Sequence, residues 1–268
     1  RVSMILFLFL IVSCFLSYQS HLIFNDEDEY YYYTYMKQLE GEKTIEKTNF
    51  IQKENKRFQS LKKKQQKFME EDKVEDLMIL SEDLRPVHGF EKVVERNNYI
   101  NKHNLHAYVY EGGYVKIMDL SKENGILMTL GLLLLTFSLC SVFTQDYETG
   151  QKMLLQATLL GRKKMAHKKI LVSIFIIVIS FGIIYLPQFI TFYRLYGLAG
   201  ITEPVGCMGI QSGMEMPIWL WLVLGYVIRL IIMLAYSGFF LFISNKIKSA
   251  FVTLTVMSII IIIIFFVI

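Results

Sequence analysis

The chain has 268 residues, 53% of them hydrophobic and 19% charged, with a formal net charge of +4 and a mean hydropathy of +0.39. That hydropathy excludes an ordinary soluble domain unless apolar and charged residues are segregated, and they are: residues 2–19, 126–143, 170–188, 217–243 and 249–268 hold one charge between them, Arg229. The basic residues flank apolar runs or alternate with acids, which argues against a nucleic-acid partner, and three scattered cysteines, Cys14, Cys140 and Cys207, make no disulfide framework.

An apolar run of about 18–20 residues spans the ~30 Å hydrocarbon core as a helix. The pattern therefore predicts an all-α polytopic membrane protein with five visible transmembrane helices. Residues 1–19 form the first span. Ile11-Val-Ser-Cys14 loosely resembles a cleavage box, but an early apolar run in a chain that returns to the bilayer is ordinarily a span.

Residues 20–124 are polar, with 20 acids against 17 lysines and arginines. They open on Asn25-Asp-Glu-Asp-Glu29 and four tyrosines, Tyr30 to Tyr33. Acids in a first turn suit the positive end of a helix. Residues 27–72 lack proline and are rich in Glu, Lys and Gln, so they read as one long helix with a break at Gly41. Ile51, Phe58, Leu61 and Phe68 give it a narrow apolar stripe. Helices follow at Val74 to Leu84 and at about 88–101. Ala107 to Ile117, with Gly112-Gly113 at its centre, reads as a β-hairpin. The tyrosine run has two readings, an interfacial aromatic belt or a ligand-contacting surface. Lys62 to Lys64 read as a solvated helix face. His103 and His106 are close in sequence, but no carboxylate or thiol accompanies them at metal-ligand spacing.

The last span group, 125–268, is organised by its loops. The 144–169 loop has six lysines and arginines against two acids, and 244–248 has Lys246 and Lys248 and no acid. Both fall on one side if the spans alternate, and the positive-inside rule makes that side the cytosol. Residues 20–124 and 189–216 are then extracellular. The fourth span, at 27 residues, is long enough to tilt.

No catalytic constellation or phosphate-binding loop is present: no Gly-x-Ser-x-Gly, no His-Glu-x-x-His, no Cys-x-x-Cys and no Gly-x-x-x-x-Gly-Lys-Ser/Thr. The chain is thus not read as an enzyme, and no metal or cofactor is assigned to it. In the 144–169 loop, Met153, Leu154, Leu155, Ala157, Leu159 and Leu160 give Gln151 to Leu160 the pattern of a short amphipathic helix. Such a helix lies in the interface or enters a groove on a partner. Glu148 would suit its positive end and Arg162 to Lys164 its negative end. The plain alternative is an ordinary basic loop. Arg229 sits mid-span, where a lipid-facing charge costs at least ~2.5–3.5 kcal/mol. It must face protein or a wet cavity, as a pathway residue or as a structural tether.

The pattern Asp146-Tyr-Glu148-Thr-Gly150, Leu154-Leu155, Thr158, Gly161-Arg162-Lys163-Lys164 and Lys168 before a long span resembles the ABC-2-type permease family, the membrane subunits of ABC exporters. Ser244 to Ala250 resembles that family's later cytosolic turn. Tyr35 to Thr44 is similar to the extracellular insertion of some permeases of low-GC Gram-positive bacteria. The resemblance implies a multi-pass permease in the plasma membrane of a Gram-positive bacterium. It implies a second permease subunit, identical or not, and separate ATPase subunits that bind ATP and Mg. Glu148, Gly150, Gly161, Arg162 and Lys163 are the residues it implies for ATPase docking. The family usually has six spans, so a sixth is expected in the full protein. A peptide, a lipid-linked molecule or a drug would be the cargo. The rival reading is a membrane-anchored sensor or scaffold whose outer helices bind a ligand or an envelope protein.

Overall fold

The computed structural model describes residues 2–22, 26–71, 73–118, 122–148, 159–209, 215–247 and 249–267. Within them the chain is mostly helical. In order it forms α1 (Val2–Leu22), α2 (Glu27–Leu39), β1 (Gly41–Glu42), α3 (Ile45–Glu70), α4 (Val74–Leu84), α5 (Val87–Lys102), β2 (Ala107–Tyr108) and α6 (Gly112–Met118). There follow α7 (Lys122–Glu148), α8 (Leu159–Tyr196), a 3₁₀ turn (Val205–Met208), α9 (Ile218–Lys246) and α10 (Ala250–Val267). Two compact units result. An apolar one comprises Arg1–Ser20, Ile117–Leu195 and Leu224–Ile268, and a polar one His21–Lys116 and Tyr196–Val223.

In the apolar unit, α8 and α9 carry stretches long and apolar enough to cross a membrane, His167–Tyr196 of 30 residues and Ile218–Ser244 of 27. Helices α1, α7 and α10 carry shorter described apolar stretches, Leu6–Gln19, Asn124–Cys140 and Phe251–Ile263. Inward-facing Leu134, Leu135, Leu139, Ile184, Phe240 and Met257 form a common core, and α7 packs along α10. The hydroxyls of Thr129, Thr136, Ser173, Thr191 and Thr253 donate to carbonyls one turn back in their own helices. These five hydroxyls thereby lie in apolar helices without going unpaired. Pro187 lies inside α8 and removes one backbone donor there. Beside it, the Ser13 hydroxyl of α1 donates to the Ile184 carbonyl at 2.8 Å.

In the polar unit the local signals act as their chemistry requires. The Asp26 carboxylate accepts from Glu29 N at 2.7 Å and caps α2, whose first turn is acidic. The long helix expected over 27–72 is broken at Gly41, whose φ of +98° favours glycine. The Lys47 ammonium then ties the break by donating to the Glu40 and Glu42 carbonyls. Thr44 caps α3, and Pro86 opens α5, for which a fixed φ is an advantage. Helix α5 packs against α2 through Gly89, where a Cβ would lie 2.6 Å from the Asp28 carbonyl oxygen. Phe90 is fully buried against Tyr35 and Phe58, with ring centroids at 5.0 and 5.2 Å.

The hairpin expected at 107–117 does not form. Ala107–Tyr108 pairs antiparallel with Gly41–Glu42 instead, and Gly112–Met118 is helical. Neither Gly112 nor Gly113 takes the positive φ that a two-residue hairpin turn demands. Their missing side chains serve packing: a Cβ on Gly113 would lie 2.6 Å from the Tyr196 ring, and one on Gly112 would collide with the Tyr110 hydroxyl.

Candidate functional site

Of the residues expected to dock an ATPase, Glu148 lies in α7, and Gly161, Arg162 and Lys163 lie in α8. Gly150 and the segment 151–158 lie outside the described residues. Arg162 to Lys164 lie in α8, and the short helix expected over 151–160 falls outside the described residues up to 158.

Arg229 is a centre of the apolar unit. It lies on α9 and is 4% exposed. One guanidinium nitrogen, Nη2, donates to the Ile117 carbonyl at 2.5 Å. That carbonyl belongs to α6. Gly225, one turn before Arg229, permits the approach: a Cβ there would come within 2.4 Å of the Met118 side chain. The Arg229 guanidinium lies 5.4 and 5.3 Å from the ring centroids of Tyr185 and Tyr226, within cation–π range. Asn124 Nδ2 donates to the same Ile117 carbonyl at 3.4 Å, and Gln188 Nε2 donates to Asn124 Oδ1 at 2.6 Å.

This network is incomplete. Arg229 Nη1, the Tyr226 hydroxyl and Gln188 Oε1 are buried with no hydrogen-bond partner. No carboxylate is among the described side chains of the unit. Arg229 was legible from the sequence as a lone mid-span charge. Tyr226 was not singled out, although three residues before Arg229 is a spacing that puts it on the same helix face. Tyr185, Asn124 and Gln188 were not, because only helix packing brings them to it.

The polar unit holds a second charged centre that no spacing announces. Arg96 of α5 and Glu111 form an ion pair with side chains 11% and 21% exposed. The Tyr32 hydroxyl donates to both Glu111 oxygens, at 2.8 and 2.9 Å, and accepts from Arg96 Nε at 3.4 Å. Burial first, and then the Glu111 carboxylate, push the Tyr32 hydroxyl far above the usual tyrosine range. Beside it Tyr110 stacks on Tyr196 and Tyr33 meets both edge-on, with centroids 5.0 to 5.9 Å apart. The tyrosine run is therefore not a uniform aromatic belt: Tyr30 is half exposed and Tyr32 is buried.

A polar cleft of about 610 Å³ is lined by Glu42, Lys43, Asn104, Leu105, His106 and Glu203. His103 packs against the Tyr99 ring at 4.4 Å between centroids, tilted by 42°. Among the described residues no three His, Cys, Asp or Glu side chains come together to hold a metal. No protein-family model, curated protein or solved structure matches this chain.

Proposed function

We propose that this chain is a permease subunit of an ATP-driven exporter, a five-span portion of a multi-pass protein with residues 20–124 outside the cell. The observation that carries the membrane half of this reading is exposure. The most apolar windows of α8 and α9 are only 33% and 22% buried. A core helix of a soluble protein is mostly covered. These helices instead turn Phe175, Val178, Leu186, Ile228, Ile231 and Phe242 outward, as a lipid-facing surface requires. Helices α1, α7 and α10 contribute the remaining spans. Their apolar stretches, Leu6–Gln19, Asn124–Cys140 and Phe251–Ile263, hold no charged residue.

The exporter half rests on the residues between α7 and α8. An acid and a glycine, Glu148 and Gly150, precede the segment 151–158, and Gly161, Arg162 and Lys163 follow it. The 144–169 segment carries six lysines and arginines against two acids, as a cytosolic loop that an ATPase grips requires. ATP and Mg bind to the partner chains. Cycles of ATPase closure would move the 148–163 segment and tilt α7 and α8.

The test is gentle purification of the full-length protein from its host, identification of the chains that accompany it and measurement of ATP hydrolysis. A stoichiometric ATPase whose activity falls at least tenfold in Glu148→Ala or Arg162→Glu, with the permease still folded, is the expected result. A preparation without ATPase, or an ATPase indifferent to both substitutions, would favour the sensor reading instead.

A further inference from the structure

The Arg229 network has every part of a binding site except the anion. A guanidinium offers its donors as a planar fork, and one arm is already spent on the Ile117 carbonyl. The other arm, Nη1, is buried and unpartnered. A buried cation without a counter-charge is expensive, and a native fold retains one where something else supplies the charge. The flanking rings fit an amphiphile. Tyr185 is buried, and Tyr226 is half-buried beside the outward-facing Val227 and Ile228. An aromatic ring therefore lies between Arg229 and that outward-facing surface, on the path that lateral entry would take. The Tyr226 hydroxyl, also unpartnered, adds a second donor on that path.

We propose that Arg229 and Tyr226 recognise an anionic oxo group, a carboxylate or a phosphate, on an amphiphile that enters the apolar unit laterally. This deepens the exporter reading, on which it rests for calling the amphiphile a cargo. The same chemistry is found in the headgroup of a resident membrane lipid, so the experiment separates the two sources.

Full-length protein in phosphatidylcholine nanodiscs would be titrated with labelled palmitate and lysophosphatidate, with hexadecanol as the neutral control. Protein taken from its host in neutral detergent would be examined by native mass spectrometry for retained anionic lipid. The expected result is binding of an acid probe and not of the alcohol. Arg229→Gln should weaken it at least about tenfold, the scale of one charged hydrogen bond. Arg229→Lys should fall between, because it keeps the charge and loses the fork. Tyr226→Phe, which keeps the ring and should fold in any case, should weaken it by a smaller factor. A retained anionic lipid lost in Arg229→Gln assigns the anion to the membrane, and probe binding without retained lipid assigns it to cargo. Equal binding of palmitate and hexadecanol would overturn the proposal, as would unchanged affinity in both the Arg229→Gln and Tyr226→Phe proteins. It would also be overturned if the wild type took no anion and Asp119→Asn or Glu123→Gln gained one, since the chain itself would then supply the counter-charge. None of these readouts needs an ATPase. A missing ATPase would sink the exporter reading and leave the anion site standing, and the reverse also holds.

Discussion

Tyr32 donates to both oxygens of Glu111 while Arg96 pairs with the same carboxylate, so the phenol is held neutral in a buried, charged setting. Its raised pKa has a consequence for stability. An unfolded tyrosine loses its proton near pH ~10. The folded state keeps it to higher pH, first because of burial and then because of Glu111. Folding is therefore favoured in full below about pH 10, and the contribution is lost as pH rises beyond it. Tyr110 and Tyr114 shift the same way, each mainly through burial and then through Glu29 and Glu40 respectively. The unfolding temperature of the polar unit should hold from about pH 7 to 9 and drop above about pH 10, with tyrosinate absorbance and loss of helical circular dichroism rising together. Free titration of all the tyrosines near pH ~10 with helicity intact would refute the burial of this cluster. The sequence displays the run Tyr30 to Tyr33, but not which ring turns inward. That depends on Glu111, which is 79 residues away from Tyr32.

At the scale of elements, the contact between α2 and α5 is made by one absent side chain. A Cβ on Gly89 would lie 2.6 Å from the Asp28 carbonyl oxygen, 2.7 Å from Tyr31 Cβ and 2.8 Å from Tyr32 N. Backbone atoms in two of those three contacts cannot swing away. Gly89→Ala should therefore cost the polar unit about 1–3 kcal/mol in chemical denaturation, although alanine is the better helix former. Gly125 is the control, since a Cβ there meets nothing within 4 Å. Gly125→Ala should be neutral or gain up to about 1 kcal/mol. If both substitutions behaved alike, the close approach of α2 and α5 would be wrong. The helices α4 and α5 were legible as segments because Pro86 and the apolar period mark them. The hairpin was misread because its alternation is local evidence, whereas the strand that pairs with Ala107–Tyr108 lies at Gly41–Glu42, far back in the chain. Gly-Gly reads as a turn until Tyr110 and Tyr196 are seen to need the space.

For the whole molecule, orientation is open to a direct check. Lys64 and Lys164 are both exposed, while Cys140 and Cys207 are buried and Cys14 sits within the apolar α1. Lys64→Cys should react with an impermeant maleimide in intact cells, and Lys164→Cys only after permeabilisation. The opposite pattern would invert the topology, and labelling of both in intact cells would put the 144–169 loop outside the cytosol. The segregation of charge from apolar runs determined by itself that the chain would divide into an apolar helical part and a polar helical part, since hydrophobic length and charge act locally. It also singled out Arg229, because a lone charge in such a run is conspicuous without any knowledge of its neighbours. What only the tertiary structure decided is what that charge touches. The Ile117 carbonyl, Tyr185, Asn124 and Gln188 come from α6, α7 and α8. It likewise decided that residues 196–223 join the polar unit, and that Arg96, Glu111 and Tyr32 share one site. These are contacts between residues distant in the chain, set by which helix faces can pack together, and no period or spacing along the sequence encodes them.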